Sequence, residues 1–206
     1  MELDIRKLNT RVISLKDSSH RKRIGDMLTD LGFENWSFFD AIKSTPHFSY
    51  LVGCSLSHRE CLNQTELPCL VFEDDAALVD PENFNPVINI PDDSDMFYLG
   101  TSAWGLKTGA STLNGSEFER VNGDIYRVRH MTSGHAIVYL NEEKCRQMSY
   151  NSIKYMAETG KCYDESYGMQ LKNMNAYCFE TPVFYQDCKR NEIFTRFPVT
   201  TKYEVR

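Results

Sequence analysis

Three consecutive carboxylates follow an apolar run in this sequence. Residues 70–72 have the pattern of a buried strand, and Glu73, Asp74 and Asp75 come directly after it. A strand of this kind leaves the residues after it in the crevice beyond the carboxyl edge of the sheet, where open α/β sheets bind ligands. Adjacent acids repel one another unless a cation shares them, so this group, which we call the acid corner, predicts an Mg²⁺ or Mn²⁺ site that holds a diphosphate. A solvated turn is the alternative for any one of the three acids.

A second group of polar residues lies in the first turns of a helix predicted over residues 53–63. Ser55, Ser57 and His58 are close to the predicted start of that helix, where side chains and free backbone N–H groups can meet a phosphate or a sugar. A lone histidine more often caps a helix or makes a hydrogen bond in the core. His58 therefore also has a structural interpretation.

Other polar residues lie at the ends of predicted elements, and each has a structural alternative. His135 follows a glycine before a strand and can donate to a ligand, although a structural turn explains this segment equally well. Asp164 and Glu165 open a predicted helix, where the helix dipole favours acids in any case. Asp40 at a strand end and Arg21 or Arg23 at a helix start are similarly ambiguous.

Hydrophobic periodicity predicts an α/β chain that positions these residues. It opens as strand, helix, strand, which implies parallel pairing through a right-handed crossover. The predicted strands lie at residues 11–15, 36–39, 70–72, 95–99, 125–128, 136–140 and 177–180. The predicted helices run from Ser18 or Ser19 to about residue 31 and over residues 53–63, 142–148 and 164–174. Residues 103–123 are rich in Gly, Ser, Thr and Asn, a composition that predicts a mobile loop or hairpin. An irregular tail is predicted after residue 180.

Composition predicts one globular domain that does not bind nucleic acid. The chain has 206 residues, 41% of them hydrophobic, and can bury one core. Its net charge is -6, and no basic run offers a track for a phosphate backbone. Seven cysteines without a Cys-x-x-Cys pair favour free thiols in a reducing compartment. Because no signal-like or ~20-residue apolar run occurs, we expect no membrane span and a cytoplasmic protein, with residues 1–206 as a single domain or as the amino-terminal part of a longer chain.

Common nucleotide-binding and hydrolase motifs are absent from the sequence. No Gly-x-Gly-x-x-Gly follows the first strand, and there is neither a Gly-x-x-x-x-Gly-Lys-Ser/Thr loop nor a Gly-x-Ser-x-Gly elbow. Dinucleotide oxidoreductases, P-loop phosphotransferases and hydrolases with that elbow are therefore disfavoured. What remains is an α/β domain in which an acidic metal site neutralises phosphate charge.

Three motifs stand in order along the chain. They are Val-Ile-Ser-Leu at residues 12–15, Gly-Cys-Ser-Leu-Ser-His at residues 53–58 and Val-Phe-Glu-Asp-Asp-Ala at residues 71–76. In this order the chain resembles the lipooligosaccharide-biosynthesis and collagen-galactosyltransferase family of glycosyltransferases. Weaker matches lie at residues 98–100, 134–136, 164–165 and 182–186, and the usual Arg-rich opening is diluted at residues 16–21. A compact version of this kind resembles bacterial surface-glycan enzymes and the glycosyltransferase domains that large algal viruses encode for capsid glycans.

The resemblance implies a GT-A fold, a single domain with a central mixed sheet flanked by helices. It also implies transfer of a sugar from a nucleotide-diphosphate donor, with a UDP-sugar expected, to a hydroxyl of a glycan or glycoprotein, with Mn²⁺ or Mg²⁺ as cofactor. By this resemblance Asp75 ligates the metal together with Glu73, and Glu73 or Asp74 holds the ribose or a metal-bound water. The other residues assigned to donor binding are Ser14, Arg21, Asp40, Ser57 and His58.

Catalysis needs a base if the transfer inverts the configuration of the sugar, as we expect. Asp164 is the candidate for this base and Glu165 is second, whereas a retaining mechanism needs neither. Residues 102–123 are the natural acceptor-binding loop. Trp104 in this loop is either a platform for sugar stacking or a hydrophobic anchor, and Thr101 and His135 are the other candidates for acceptor contact.

Two functions from other classes are alternatives at this point. One is a metal-dependent phosphohydrolase, in which the acid corner gathers two cations and activates water; it predicts phosphate release without an acceptor and lacks further His and Asp clusters for a second ion. The other is a non-catalytic carbohydrate-binding module, which predicts that loss of the Asp75 carboxylate leaves sugar binding nearly intact.

Overall fold

The structure, a computed structural model, describes residues 1–45, 49–103, 115–189 and 192–201. The strands in these ranges are β1 (Glu2–Asp4), β2 (Asn9–Ser14), β3 (Trp36–Asp40), β4 (Cys69–Glu73), β5 (Ala76–Leu78), β6 (Val87–Asn89), β7 (Met96–Tyr98), β8 (Glu117–Asn122), β9 (Ile125–His130), β10 (Ala136–Tyr139), β11 (Ala176–Phe179) and β12 (Phe184–Gln186). The helices are α1 (Arg21–Asp30), α2 (Tyr50–Asn63), α3 (Glu142–Thr159), α4 (Tyr163–Gln170) and α5 (Glu192–Thr195). Short 3-10 turns lie at Ile5–Lys7 and Leu171–Asn173.

Eight of these strands form one mixed sheet. Their order across it is β3-β2-β4-β10-β7-β11-β9-β8. Strand β2 is parallel to both β3 and β4, whereas β10 is antiparallel to β4 and to β7. Two short ribbons, β1 with β6 and β5 with β12, lie outside this sheet. The predicted α/β class, the mixed sheet and the parallel opening of strand, helix and strand are confirmed.

The central strands are buried on both faces, which explains the uninterrupted apolar run of β4. Val71 belongs to a core cluster that contains Cys61 of α2 and Tyr163 of α4. Its neighbour Leu70 belongs to a second cluster that contains Ile24 of α1. Because successive strand residues point to opposite faces, helices cover both sides of this part of the sheet. Burial of each large apolar side chain contributes about 1.5–3 kcal/mol, which holds the acidic end of β4 in a fixed position.

Helix α2 begins one turn earlier than the sequence predicts. It starts at Tyr50, so Gly53 lies inside it and is not its first residue. A Cβ at Gly53 would overlap the carbonyl oxygen of Ile42, and glycine therefore permits the close approach of that segment. Ser57 and His58 consequently lie in the middle of the helix, and the expectation that they adjoin free N–H groups in its first turns is wrong.

Other boundaries differ from the prediction where the sequence has weak periodicity. Helix α3 continues to Thr159 and ends at Gly160, whose φ of +70° is the left-handed conformation that commonly terminates helices. Strands β8 and β9 form a hairpin at the edge of the sheet. Of the segment 103–123, for which the sequence predicts a mobile loop or hairpin, residues 104–114 lie outside the described residues. The predicted irregular tail contains β12 and α5, so that prediction is wrong for residues 184–186 and 192–195.

The sequence also predicts that the chain has no membrane span and that its cysteines are free thiols. No helix in those ranges combines the length and the apolar character that crossing a membrane requires. All seven cysteines carry free thiols, as the odd cysteine count predicts. The four buried ones are Cys61, Cys69, Cys145 and Cys178.

We expect Gly134→Ala to destabilise the protein next to the acid corner. The added Cβ would overlap the Tyr163 hydroxyl, which donates a hydrogen bond to Glu73. Tyr163 must then move, and the free energy of unfolding, measured by urea denaturation, should fall by about 1–3 kcal/mol. Gly25→Ala in α1 is the matched control, because its Cβ meets Trp36 at 3.1 Å and gains about 1 kcal/mol of helix propensity. Equal losses in the two variants would contradict this explanation.

Candidate functional site

A cavity of about 350 Å³ opens at the edge of the sheet where β2, β3 and β4 end. Its walls are the end of β2, residues 41–44 after β3, one side of α2 and the acid corner. Parallel strands that end together form the crevice in which α/β proteins bind ligands. The predicted site residues that line this cavity are Ser14, Ser57, His58, Glu73, Asp74 and Asp75.

Glu73 is held in the protein by hydrogen bonds to both of its carboxylate oxygens. Its Oε1 accepts a bond from the Tyr163 hydroxyl at 2.7 Å and lies 3.0 Å from His58 Nε2. Its Oε2 accepts a bond from the Gln186 side-chain amide at 3.2 Å. Burial alone would raise the pKa of Glu73, but the hydrogen bond and charge of His58 and the bond from Tyr163 outweigh burial and lower this pKa from 4.5 to about 2. Glu73 is therefore an anionic anchor of the acid corner.

Asp74 is bonded to β2 and to α1. Ser14 Oγ donates a hydrogen bond to Asp74 Oδ2 at 2.7 Å. The Arg23 guanidinium donates to the backbone carbonyl of Asp74 at 3.2 Å and lies 3.6 Å from the Asp187 carboxylate. Of the two arginines that the sequence marks at the start of α1, Arg23 is thus the one that reaches the acid corner, whereas Arg21, the one assigned to donor binding, does not.

Asp75 is the acid whose charge the surrounding groups compensate least. Its Oδ2 accepts a long hydrogen bond from the Gln186 amide at 3.4 Å, and its Oδ1 is buried without a hydrogen-bond partner in the described ranges. Burial and the negative charges of Glu73 and Asp74 raise the pKa of Asp75 from 3.8 to about 7. A carboxylate in this environment favours a bound proton or a bound cation. The acid corner thus retains an oxygen that is suited to a metal ion.

Ser57 and His58 line the cavity, and both also hold the fold together. Ser57 Oγ accepts a hydrogen bond from the Ile42 N–H at 2.8 Å and donates one to the Gly53 carbonyl at 2.6 Å, which ties the segment after β3 to α2. The His58 ring stacks on the Tyr163 ring with centroids 3.8 Å apart. These two residues therefore position the walls of the cavity.

Asp40 and Arg21 pair with each other and are not among the residues that line the cavity. The Arg21 guanidinium donates to Asp40 at 2.9 Å, and Lys16 Nζ lies 3.3 Å from the same carboxylate. The guanidinium also lies over the Phe38 ring, 4.2 Å from its centroid. The geometry of the cavity therefore gives no support to the predicted contact of these two residues with a donor.

His135 and Thr101 are interior residues, which corrects the prediction that they contact an acceptor. His135 has no exposed surface; its Nδ1 lies 2.7 Å from the Ser133 hydroxyl oxygen and its Nε2 3.2 Å from the Phe184 carbonyl oxygen. Burial lowers the pKa of His135, which favours the neutral ring. Thr101 is buried as well. Trp104 lies outside the described residues.

Asp164 and Glu165 occupy the first turn of α4, as predicted, but their surroundings differ. Burial and the negative charge of Glu73 raise the pKa of Asp164, so this carboxyl group is within electrostatic reach of the acid corner, although it does not line the cavity. Glu165 pairs with Lys161 at 3.0 Å and lines a different cavity of about 420 Å³.

Tyr163 and Gln186 reach the acid corner without having been predicted as site residues. They lie 90 and 113 positions from Glu73 in the sequence. Strand β12 pairs Gln186 with Ala76, which brings its amide next to Asp75. The weak motif at residues 182–186 was a signal for Gln186, whereas no local pattern marks Tyr163 as a partner of Glu73.

Volume alone does not select the cavity at the acid corner. A cavity of about 530 Å³ lies at the other end of the β5 and β12 ribbon, where Phe84, Asp80 and Asp124 contribute to its lining. Both of these acids are exposed, so solvent compensates their charge. The acid corner is the stronger candidate because Asp75 is half-buried there and its buried Oδ1 has no hydrogen-bond partner among the described groups.

Comparison with known proteins assigns no family to this chain. No protein-family model and no curated protein matches it. The site itself offers the half-buried and partly satisfied carboxylate of Asp75, the Arg23 guanidinium bonded to the neighbouring Asp74 carbonyl, and a cavity large enough for a small molecule. Together these groups can bind a divalent cation and an anionic ligand.

We expect Tyr163→Phe to destabilise the protein by about 1.5–3 kcal/mol, because it removes a hydrogen bond to a buried carboxylate. Tyr98→Phe is the matched control, since the buried Tyr98 hydroxyl has no partner among the described groups. Because the pKa of Glu73 is lowered, its hydrogen-bonded carboxylate stabilises the folded protein fully above pH 4.5. This contribution to the free energy of unfolding is lost as the pH falls towards about 2 and the carboxylate takes up a proton. Urea denaturation across this range measures both effects. A Tyr163→Phe variant as stable as Tyr98→Phe at neutral pH would contradict the anchoring role of Tyr163.

Proposed function

We propose that this chain is a metal-dependent glycosyltransferase of the GT-A type. It transfers a sugar from a nucleotide-diphosphate donor, a UDP-sugar, to a hydroxyl group of a glycan or glycoprotein. The Asp75 carboxylate carries this proposal: the residue is half-buried, its Oδ1 is buried without a partner in the described ranges, and it borders a cavity of about 350 Å³. Small-molecule sites commonly occupy about 300–1,000 Å³.

The groups at the acid corner fit a hard divalent cation such as Mn²⁺ or Mg²⁺. Asp75 would hold the ion through its unpartnered oxygen, and Asp74 offers carboxylate oxygens in the same cavity. Glu73, the other predicted ligand, has both oxygens in hydrogen bonds and serves better as the anchor of this corner. When bound, the ion neutralises charge on the diphosphate leaving group.

Residues around the cavity supply further groups for a nucleotide. Arg23 adds a permanent positive charge beside Asp74, where it favours a diphosphate. Ser14 fixes the Asp74 carboxylate from the end of β2. Tyr50, which is 72% exposed and lines the cavity, offers an aromatic face for a base or a sugar. This arrangement supports a donor with an anionic centre and a flat or ring-shaped end.

For an inverting transfer we assign the role of general base to Asp164. It accepts the proton of the acceptor hydroxyl as that oxygen attacks the anomeric carbon and the bond to the diphosphate breaks. The raised pKa supports this role, because a carboxylate whose pKa moves towards neutrality is a stronger base than an ordinary one. Asp164 also follows Tyr163 directly, and Tyr163 is bonded to Glu73 at the acid corner.

The acid corner gives less support to a phosphohydrolase with two metal ions. Such an enzyme needs enough free carboxylate oxygens to bridge or flank two cations. Here both oxygens of Glu73 accept hydrogen bonds and Ser14 bonds one oxygen of Asp74, so the acid corner is left with Asp75 Oδ1 and the second Asp74 oxygen as its free carboxylate oxygens among the described groups. A transferase with one cation fits this ligand supply better.

Asp75→Asn should abolish metal-dependent binding of the donor nucleotide. The substitution keeps the size of the side chain and removes the charge that holds the cation. We expect the affinity for UDP in the presence of Mn²⁺ to fall by more than the roughly 10–100-fold that substitutions around metal ligands cost. Isothermal titration calorimetry with UDP, with Mn²⁺ and with EDTA, measures the loss.

The matched control for this variant is Asp124→Asn. Asp124 is exposed and lines the separate cavity of about 530 Å³, so the affinity of this variant for the donor should stay close to that of the wild type. Binding of UDP and Mn²⁺ to Asp75→Asn as tightly as to the wild type would refute the site. Metal-independent binding of sugars by both proteins, without turnover, would identify a carbohydrate-binding module instead.

Asp164→Asn should lower kcat by about 100-fold or more while the affinity for the donor changes little. Steady-state transfer to a glycan acceptor and calorimetric donor binding separate the two quantities. The donor is first identified by a thermal-shift screen of nucleotide sugars with Mn²⁺, because a ligand that binds only the folded state raises its stability. Equal losses of turnover and donor affinity would contradict the assignment of the base, and a loss confined to Glu165→Gln would transfer the role to Glu165.

A further inference from the structure

A second set of metal-binding side chains adjoins the acid corner and shares Glu73 with it. The Cys54 sulfur, a ring nitrogen of His58 and a carboxylate oxygen of Glu73 all lie within 4.8 Å of one another. Cys54 and His58 are separated by one turn of α2 and so share one face of the helix. Glu73 reaches them from the end of β4 and lies 3.0 Å from His58 Nε2.

One further thiol lies near these three residues. The Cys162 side chain, just before α4, is close enough to that of Cys54 for the two thiols to interact. Both cysteines carry free thiols and pack against the same core cluster. His58 is 3% exposed, and its Nδ1 is buried without a hydrogen-bond partner in the described ranges. The cluster therefore offers more ligand capacity than its hydrogen bonds use.

These ligand types select a metal different from that of the acid corner. Thiolate and imidazole favour Zn²⁺ over Mn²⁺ or Mg²⁺, which prefer oxygen ligands. In a tetrahedral Zn²⁺ site, neighbouring ligand atoms lie about 3.3–3.8 Å apart, as bond lengths of about 2.0–2.3 Å require. The ligand atoms of Cys54, His58 and Glu73 all lie within 4.8 Å of one another. Side-chain shifts of about an ångström therefore suffice to bring these three residues to a common ion.

We propose that Cys54, His58, Glu73 and Cys162 form a binding site for Zn²⁺. Binding breaks the hydrogen bond between His58 and Glu73, and the proton of the His58 nitrogen that ligates the ion and the protons of the two thiols pass to solvent as the nitrogen–zinc and sulfur–zinc bonds form. The ion joins α2, the end of β4 and the segment before α4. It takes over the neutralisation of Glu73 and fixes the wall next to Asp75.

This site does not depend on the proposed transferase activity, although Glu73 borders both sites. Zn²⁺ would bind through sulfur and nitrogen, whereas Asp75 offers only oxygen. The two metals can therefore be separated by spectroscopy without any assay of sugar transfer.

A titration of the full chain with Co²⁺, a spectroscopic substitute for Zn²⁺, tests the proposal. We expect a single Co²⁺ per chain, with a thiolate-to-cobalt charge-transfer band and the intense visible bands of tetrahedral coordination. Zn²⁺ should displace it, because Zn²⁺ binds such sites more tightly. In Cys54→Ser the charge-transfer band should weaken and the affinity should fall by at least about 100-fold.

Two variants serve as controls. Cys61→Ser makes the same change on α2 at a cysteine outside the cluster and should keep the band. Asp75→Asn removes the oxygen ligand of the acid corner and should keep it as well. A wild-type protein without a thiolate band, or a band of full strength in Cys54→Ser, would overturn the proposal.

A measurement on the wild type covers the case in which Cys54→Ser does not fold. Alkylation followed by peptide mass spectrometry reports each thiol separately. Zn²⁺ should protect Cys54 and Cys162 and leave the partly exposed Cys188 as reactive as before. Equal protection of all three thiols, or protection of none, would overturn the proposal.

Discussion

Three carboxylates at the end of a buried strand must each find a compensating group, because like charges a few ångströms apart in a protein repel by several kcal/mol. Glu73 finds His58 and Tyr163, and its pKa falls to about 2. Asp74 accepts a hydrogen bond from β2. Asp75 is left with a buried oxygen that has no partner in the described ranges and with a pKa raised to about 7. This unequal distribution of partners makes the corner suited to one added cation.

Close approaches in the surrounding fold make this distribution possible. Because Gly134 has no Cβ, the Tyr163 hydroxyl can occupy the space next to it. In the same way Gly53 leaves room for the Ile42 carbonyl oxygen in the segment after β3. His135 occupies the space beside Gly100 and bonds to the carbonyl of Phe184, which fixes β12. The interior is thus built to hold the acid corner in place at the edge of the cavity that its residues line.

Much of the fold could be predicted from the sequence, because buried strands and amphipathic helices carry their own periodicity. The acid corner could also be located, since it follows such a strand directly. The anchoring of Glu73 by Tyr163 and Gln186 could not, because contacts across 90 and 113 positions leave no local pattern. Three-residue strands such as β5 are too short for a period to show. His135 was misjudged because burial, which decides its role, is a property of the tertiary structure.

The most direct test of the central claim is an anomalous-scattering map from crystals that contain Mn²⁺ and UDP. The account predicts a manganese peak at the Asp75 carboxylate, bridged to the diphosphate, with Glu73 still bonded to Tyr163. A peak elsewhere, with Asp75 making no contact to the ion, would contradict the account.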